Sequence, residues 1–193
     1  HTMTLPMAPA SVSLLCRSAD DTIGQNNCNA TICVTDPPYF DYIAYSELSE
    51  FFRTWLPKPD LGGTPLLPDS NSAVESFARG LGGALKATLT RLAQGTPLVF
   101  TYHSASSQAW DAIGDAFDIA DLAVVALWPV LADPHMGHHT SAGNCEWDVV
   151  VVARRRGEVS PTVEDDRDLP TNWMDTLTAA GFAIGPADRQ NFQ

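Results

Sequence analysis

Basic residues are scarce in this sequence. Only 11 lysines and arginines stand against 23 aspartates and glutamates, the lysines are just Lys58 and Lys86, and the formal net charge is −12. A nucleic-acid binder acting alone normally shows a basic face, because neutralising phosphates supplies most of its non-specific affinity. The charge balance therefore argues against DNA or RNA as a partner of this chain by itself. Cysteine is sparse too. Cys16, Cys28, Cys33 and Cys145 form no C-x-x-C pair and no disulfide framework for a chain of 193 residues, so a reduced, cytosolic protein is expected. Long hydrophobic runs are missing: the most apolar stretch, Leu122–Ala132, is too short to span a bilayer. The N-terminus lacks a basic region followed by an apolar one, so no signal peptide is expected. His1-Thr2-Met3 reads as a cloning remnant. No nucleophile elbow follows any predicted strand, which excludes a Ser-His-Asp hydrolase.

What is present is ordinary for a globular domain: 45% hydrophobic and 18% charged residues over a length that suits one core. Ser11–Cys16 reads as a strand, and Ala30–Thr35 as a second, fully buried one stopped by Asp36-Pro37-Pro38. From Tyr42 to Leu56, apolar residues at Ile43, Leu48, Phe51, Phe52 and Trp55 fall at helical spacing and predict a core-facing helix. Pro57–Ser72 is a proline-rich loop. Ser72–Ala93 predicts a long helix stopped by Gln94-Gly95, Pro97–Tyr102 a strand, and Ser106–Phe117 a helix capped by Ser106 or Ser107. Leu122–Val130 and Trp147–Ala153 predict two more strands, and Thr171–Ala180 a final short helix. No repeat is evident.

Strands alternating with helices predict an α/β, Rossmann-like layer that is mostly parallel. The last two strands have no helix between them and are expected to pair as an antiparallel hairpin at one edge. The sheet is short for such a fold, because the first βα unit with its phosphate-binding glycine turn is not seen.

Thr35-Asp36-Pro37-Pro38-Tyr39-Phe40 follows directly on a strand. In open α/β sheets ligands bind outside the carboxyl ends of strands. Two prolines cannot continue the ladder, so they hold an extended, kinked backbone. That geometry sets the Asp36 carboxylate and the Pro37 carbonyl as fixed acceptors, with an aromatic ring two residues on. Such a set suits a planar target with an exocyclic amino group. The acceptors take its N–H hydrogens and leave the nitrogen lone pair available, while the Tyr39 ring stacks on it, at about 1–3 kcal/mol per base.

Asp36-Pro37-Pro38-Tyr39 resembles motif IV of the amino-group DNA methyltransferases, which modify N6 of adenine or N4 of cytosine with S-adenosylmethionine. The longer run TDPPYFDYIAYSELSEFFRTWL, Thr35 to Leu56, is similar to a subfamily of large candidate DNA methylases whose domain label is one of unknown function. The segments PLVFTYHS (Pro97–Ser104), AVVALWPV (Ala123–Val130) and EWDVVVVARR (Glu146–Arg155) resemble that family's remaining strands. The resemblance implies a partial Rossmann-like methyltransferase sheet over residues 11–156, after a flexible 1–10 and before an acidic connector and C-terminal helix at 157–193. It also implies direct methyl transfer to a DNA base flipped out of the stack. Asp36 and Pro37 would hold the amino group, with Pro38 shaping the turn; Tyr39 would stack, and Phe40 would support the pocket wall. Ser18 and Asp20 match where the family often contacts the cofactor's adenine.

The chain departs from the family at one motif. No glycine-rich F-x-G-x-G segment follows a strand, and Gly80-Leu-Gly82-Gly83 lies inside a predicted helix, where small residues permit close packing. The chain is therefore expected to be the C-terminal part of a larger enzyme, with cofactor-binding and target-recognition segments elsewhere, and inactive by itself. Its net charge then speaks only against tight DNA binding by this part alone. Methylation of RNA or of a protein amide is an alternative, although relatives acting on protein glutamine carry Asn where this chain has Asp36. A non-catalytic module that binds a partner protein is another. His103 ends a strand on the same edge as Asp36 and is a candidate base contact or a hydrogen-bonded structural histidine. His135, His138, His139 and Cys145 are read as a solvated or pocket-lining loop before a zinc site, and Arg154–Arg156 as a charged strand end before a phosphate contact.

Overall fold

The computed structural model describes residues 19, 31–40, 51–52, 55, 73–132, 145–159 and 169–193. In chain order the elements are β1 (Cys33–Val34), α1 (Ala73–Leu89), β2 (Leu98–Tyr102), α2 (Ser107–Ala120), β3 (Leu122–Leu131), β4 (Trp147–Arg155), a 3-10 turn (Arg156–Glu158), α3 (Leu169–Ala179) and α4 (Pro186–Asn191). The strands form one sheet in the order β1-β2-β4-β3. β1 pairs parallel with β2, and β4 runs antiparallel to both β2 and β3. Three strands thus share one direction, in a mixed α/β fold with an antiparallel hairpin at one edge, as the pattern predicts.

The reversed strand, β4, is the inner member of that hairpin. The sequence carries the reason. Val149–Val152 is apolar on both faces and suits an inner strand, whereas β3 contains Pro129, which lacks an N–H and belongs on an edge.

One face of the sheet holds the core. Leu98, Phe100 and Tyr102 of β2 pair with Ala153, Val151 and Val149 of β4, and all six side chains are buried. Over them lie Leu81 and Leu85 of α1 and Ile113 and Phe117 of α2, with Phe100 meeting Phe117 edge to face at 5.8 Å. Burial of each large apolar side chain stabilises the fold by about 1.5–3 kcal/mol. Phe192 after α4 joins the same core.

Two apolar expectations fail. The apolar run at β1 predicts a fully buried strand, yet Val34 is 71% exposed while Cys33 packs on the core. Val34 pairs with Val99, on the face away from α1 and α2. Likewise Phe51, Phe52 and Trp55 are exposed rather than core, and Phe51 and Phe52 pack edge to face on each other at 5.3 Å. The expected first strand, Ser11–Cys16, lies outside the described residues.

α1 ends at Leu89, short of the expected Ala93. Two threonine hydroxyls turn back onto helix carbonyls, Thr88 donating to Ala84 at 2.9 Å and Thr90 to Ala87 at 2.7 Å. Such side-chain bonds compete with continued helix. Carbonyls at and beyond the helix end are taken by the Arg155 guanidinium, which donates to those of Leu89, Leu92 and Ala93 and to Glu158. Arg156 pairs with Asp118 and donates to the Leu122 carbonyl. These two arginines of the basic step are structural, in line with a charged strand end.

The helical glycines divide sharply. A Cβ on Gly82 would lie 2.8 Å from the Ala116 carbonyl oxygen and 2.8 Å from Ile119 Cβ, whereas one on Gly83 would meet nothing within 4 Å. Gly82 is therefore what lets α1 lie against α2. We expect Gly82→Ala to cost about 1–3 kcal/mol, because backbone must shift. Gly83→Ala should add about 0.5–1 kcal/mol through helix propensity. Urea unfolding of the two variants checks this, and equal midpoints would refute it.

Among the described residues no helix is long and apolar enough to cross a membrane.

Candidate functional site

The ladder between β1 and β2 closes with the Thr35 N–H donating to the Val99 carbonyl at 3.0 Å. Beyond it the chain reaches Pro37 and Pro38, which have no N–H to continue the pairing. The turn they make is fixed from its far side. Phe40 donates its backbone N–H to the Tyr102 hydroxyl at 3.2 Å, and its ring meets Phe77 of α1 edge to face at 5.4 Å. The Tyr39 ring lies on that of Tyr102 at 5.2 Å and 23°, and on that of His103 at 4.7 Å and 38°. Tyr102 is fully buried at the end of β2. One tyrosine therefore anchors the loop twice, by its hydroxyl and by its face.

The structure thus brings the loop to the carboxyl ends of two neighbouring parallel strands. Asp36 is exposed, Pro37 buried, and Pro38, Tyr39 and Phe40 half-buried. His103 follows β2 at the same edge but is 8% exposed, with Nδ1 2.5 Å from Asp148 Oδ1. It backs the Tyr39 ring as a hydrogen-bonded histidine. Ser18 and Asp20 lie outside the described residues, as do His135, His138 and His139.

Two residues of this edge carry no motif in the sequence. Asp188, fully buried in α4, accepts the backbone N–H groups of Glu146 at 2.7 Å, Trp147 at 3.0 Å and Gly185 at 3.2 Å. Asn191 accepts the Ser104 N–H at 2.9 Å and donates to the Trp147 carbonyl at 2.9 Å. The available signal was Gly185-Pro186 followed by an acid at 188, a helix-start pattern.

Cys145 sits beside this network, buried, with its thiol 3.7 Å from the Ala187 carbonyl oxygen. Burial, then Asp188, then Asp148 push the thiol up to about 12. In the unfolded chain it ionises near 9.0, so only the unfolded state loses the proton between about pH 9 and 12. Stability contributed by this group is accordingly lost as pH rises through that window. Because the thiolate is the reactive form, we expect Cys145 in the folded chain to resist alkylation at pH 8 and to react promptly in urea. Peptide mapping after iodoacetamide reads this, and equal labelling in both states would contradict the placement. Among the described residues no cluster of His, Cys, Asp and Glu could hold a metal ion.

No family profile and no curated protein sequence matches the chain. Its fold is similar to that of a candidate DNA modification methylase from Thermus thermophilus, seen in two crystal structures. The selenomethionine form aligns with a TM-score of 0.43 at 11% identity, over 80% of this chain and 56% of that one. The other form aligns at 0.44 and 12%, over 79% and 58%. This chain thus spans somewhat over half the length of that protein.

Proposed function

We propose that this chain carries the base-binding and catalytic edge of a methyltransferase that modifies the exocyclic amino group of a DNA base, N6 of adenine or N4 of cytosine. The observation that carries the reading is the Asp36–Tyr39 loop, held at the carboxyl end of a parallel strand with its aromatic ring already seated on Tyr102. Supporting it is the resemblance of Asp36–Tyr39 to motif IV of the amino-group DNA methyltransferases, within a Thr35–Leu56 run similar to a subfamily of large candidate DNA methylases.

In this reading the Asp36 carboxylate and the Pro37 carbonyl accept the two amino hydrogens, and Tyr39 stacks on the flipped base. S-adenosylmethionine, when bound, supplies an electrophilic methyl group. Among the described residues the Gly80–Gly83 cluster does not fit that cofactor: Gly82 is packed on α2 and Gly83 is inside α1, so neither forms a turn at a strand end. The cofactor's cradle is assigned to segments other than those described, and the chain alone is expected to be inactive. The acidic balance of the chain is then no obstacle, since a basic recognition surface can reside in another part of the enzyme and the base needs only a small pocket.

A second reading is a non-catalytic module that binds a partner protein, favoured by the exposure of Ile32, Val34 and Trp128. One titration separates them. Deoxyadenosine or deoxycytidine monophosphate should shift the backbone amides of Asp36, Tyr39 and Phe40, while thymidine monophosphate, which lacks an amino group, should bind at least about tenfold more weakly. Equal binding of all three, or none, would count against the base pocket.

A further inference from the structure

The edge that holds Tyr39 contains a second arrangement, built from the ends of β2 and β4. His103 follows the last ladder pair of these strands, Tyr102 with Val149, and so stands opposite Asp148. Its Nδ1 lies 2.5 Å from Asp148 Oδ1, with the two side chains 8% and 20% exposed. The chain neighbours of both residues are tied to one helix. Ser104, after His103, donates to Asn191, while Trp147, before Asp148, is bonded through its carbonyl to Asn191 and through its N–H to Asp188. α4 therefore clamps the backbone on either side of the pair.

We propose that the His103–Asp148 pair, clamped by α4, is a positioning device that sets the plane of the Tyr39 ring. A carboxylate on Nδ1 fixes both the tautomer and the orientation of an imidazole. The oriented imidazole lies 4.7 Å from the Tyr39 ring, whose tilt is thereby defined against His103 and Tyr102 together. The β2–β4 ladder does not need the pair, because it closes at Tyr102 with Val149, and Asp148 is held in β4 by its own pairing with Val130 of β3. Nor is an ionisable pair an efficient way to hold a core, where apolar residues of similar volume often serve as well or better. The imidazole of the pair touches the ring of Tyr39. The inference rests on the reading of Asp36–Tyr39 as a base pocket.

The test uses the full chain, with the Tyr39 ring-proton resonances followed by NMR and deoxyadenosine and deoxycytidine monophosphates as probes. Asp148→Ala should move the Tyr39 ring resonances in the ligand-free chain and weaken nucleotide binding about tenfold or more. Asp148→Asn keeps an oxygen to accept the Nδ1 proton and should restore both. Unmoved ring resonances and unchanged affinity in Asp148→Ala would overturn the inference, as would failure of Asp148→Asn to restore either. Should Asp148→Ala not fold, Asn191→Ala loosens the clamp while leaving the pair's own atoms in place, and unmoved Tyr39 resonances there overturn it equally. If the wild-type chain binds neither nucleotide, the base-pocket reading fails, and the ring resonances of the ligand-free variants decide this inference by themselves.

Discussion

Asp188→Ala is expected to cost about 3–5 kcal/mol of stability, a large share of the 5–15 kcal/mol typical of a domain. The carboxylate is fully buried and satisfies three backbone N–H groups, those of Glu146, Trp147 and Gly185. Removing it leaves three donors without their acceptor, and each buried unsatisfied group costs about 1–3 kcal/mol. Water entering the vacated space offsets part of that sum. The same bonds fasten α4 to the start of β4, so the loss spreads to Phe192 in the core. Asp188→Asn keeps one acceptor oxygen but turns an amide toward an N–H, so about half the loss should remain. Urea unfolding monitored by tryptophan fluorescence measures both. A midpoint for Asp188→Ala equal to wild type would show that α4 is not a fastening element.

Asp36→Ala should behave in the opposite way. The side chain is exposed and outside the core, so the unfolding midpoint should hardly change. Its effect should appear in chemistry. Loss of a preorganised partner to a reacting group typically costs on the order of 10²–10³ in rate, and we expect methyl transfer by the complete gene product to fall by at least about a hundredfold. Asp36→Asn retains an acceptor oxygen without the charge and should fall between the two. A variant that lost both stability and activity would place Asp36 in the scaffold rather than the site.

How much of this was legible follows from what each signal reports. The β2, β3 and β4 segments are alternating or continuous apolar runs, and the Gly80–Gly83 cluster lies inside a helix pattern, so these elements and the close packing of α1 could be read directly, though not that α2 is what it packs on. Local pattern cannot say whether a neighbour covers a face. That is why Val34 and the rings of Phe51, Phe52 and Trp55 read as core and are exposed. Nor does it show that a threonine hydroxyl turns back on its own helix, which is how Thr88 and Thr90 accompany an earlier end to α1. Pro129 did mark the edge, and weighing it would have put β3 outside β4. α4 was the hardest to see: Pro186–Asn191 has no apolar stripe, and much of its hold on the fold comes through the buried polar side chains of Asp188 and Asn191. At the site, the Asp36–Phe40 loop was legible because prolines and acceptors act locally. The pairing of His103 with Asp148 was not, since it joins residues 45 positions apart.

The most direct test of the central claim is transfer of a radiolabelled methyl group from S-adenosylmethionine to duplex DNA by the complete gene product, followed by nucleoside analysis. Label in N6-methyladenine or N4-methylcytosine, lost in Asp36→Ala, is the predicted result. Label in 5-methylcytosine, or amino methylation that survives Asp36→Ala undiminished, would contradict it.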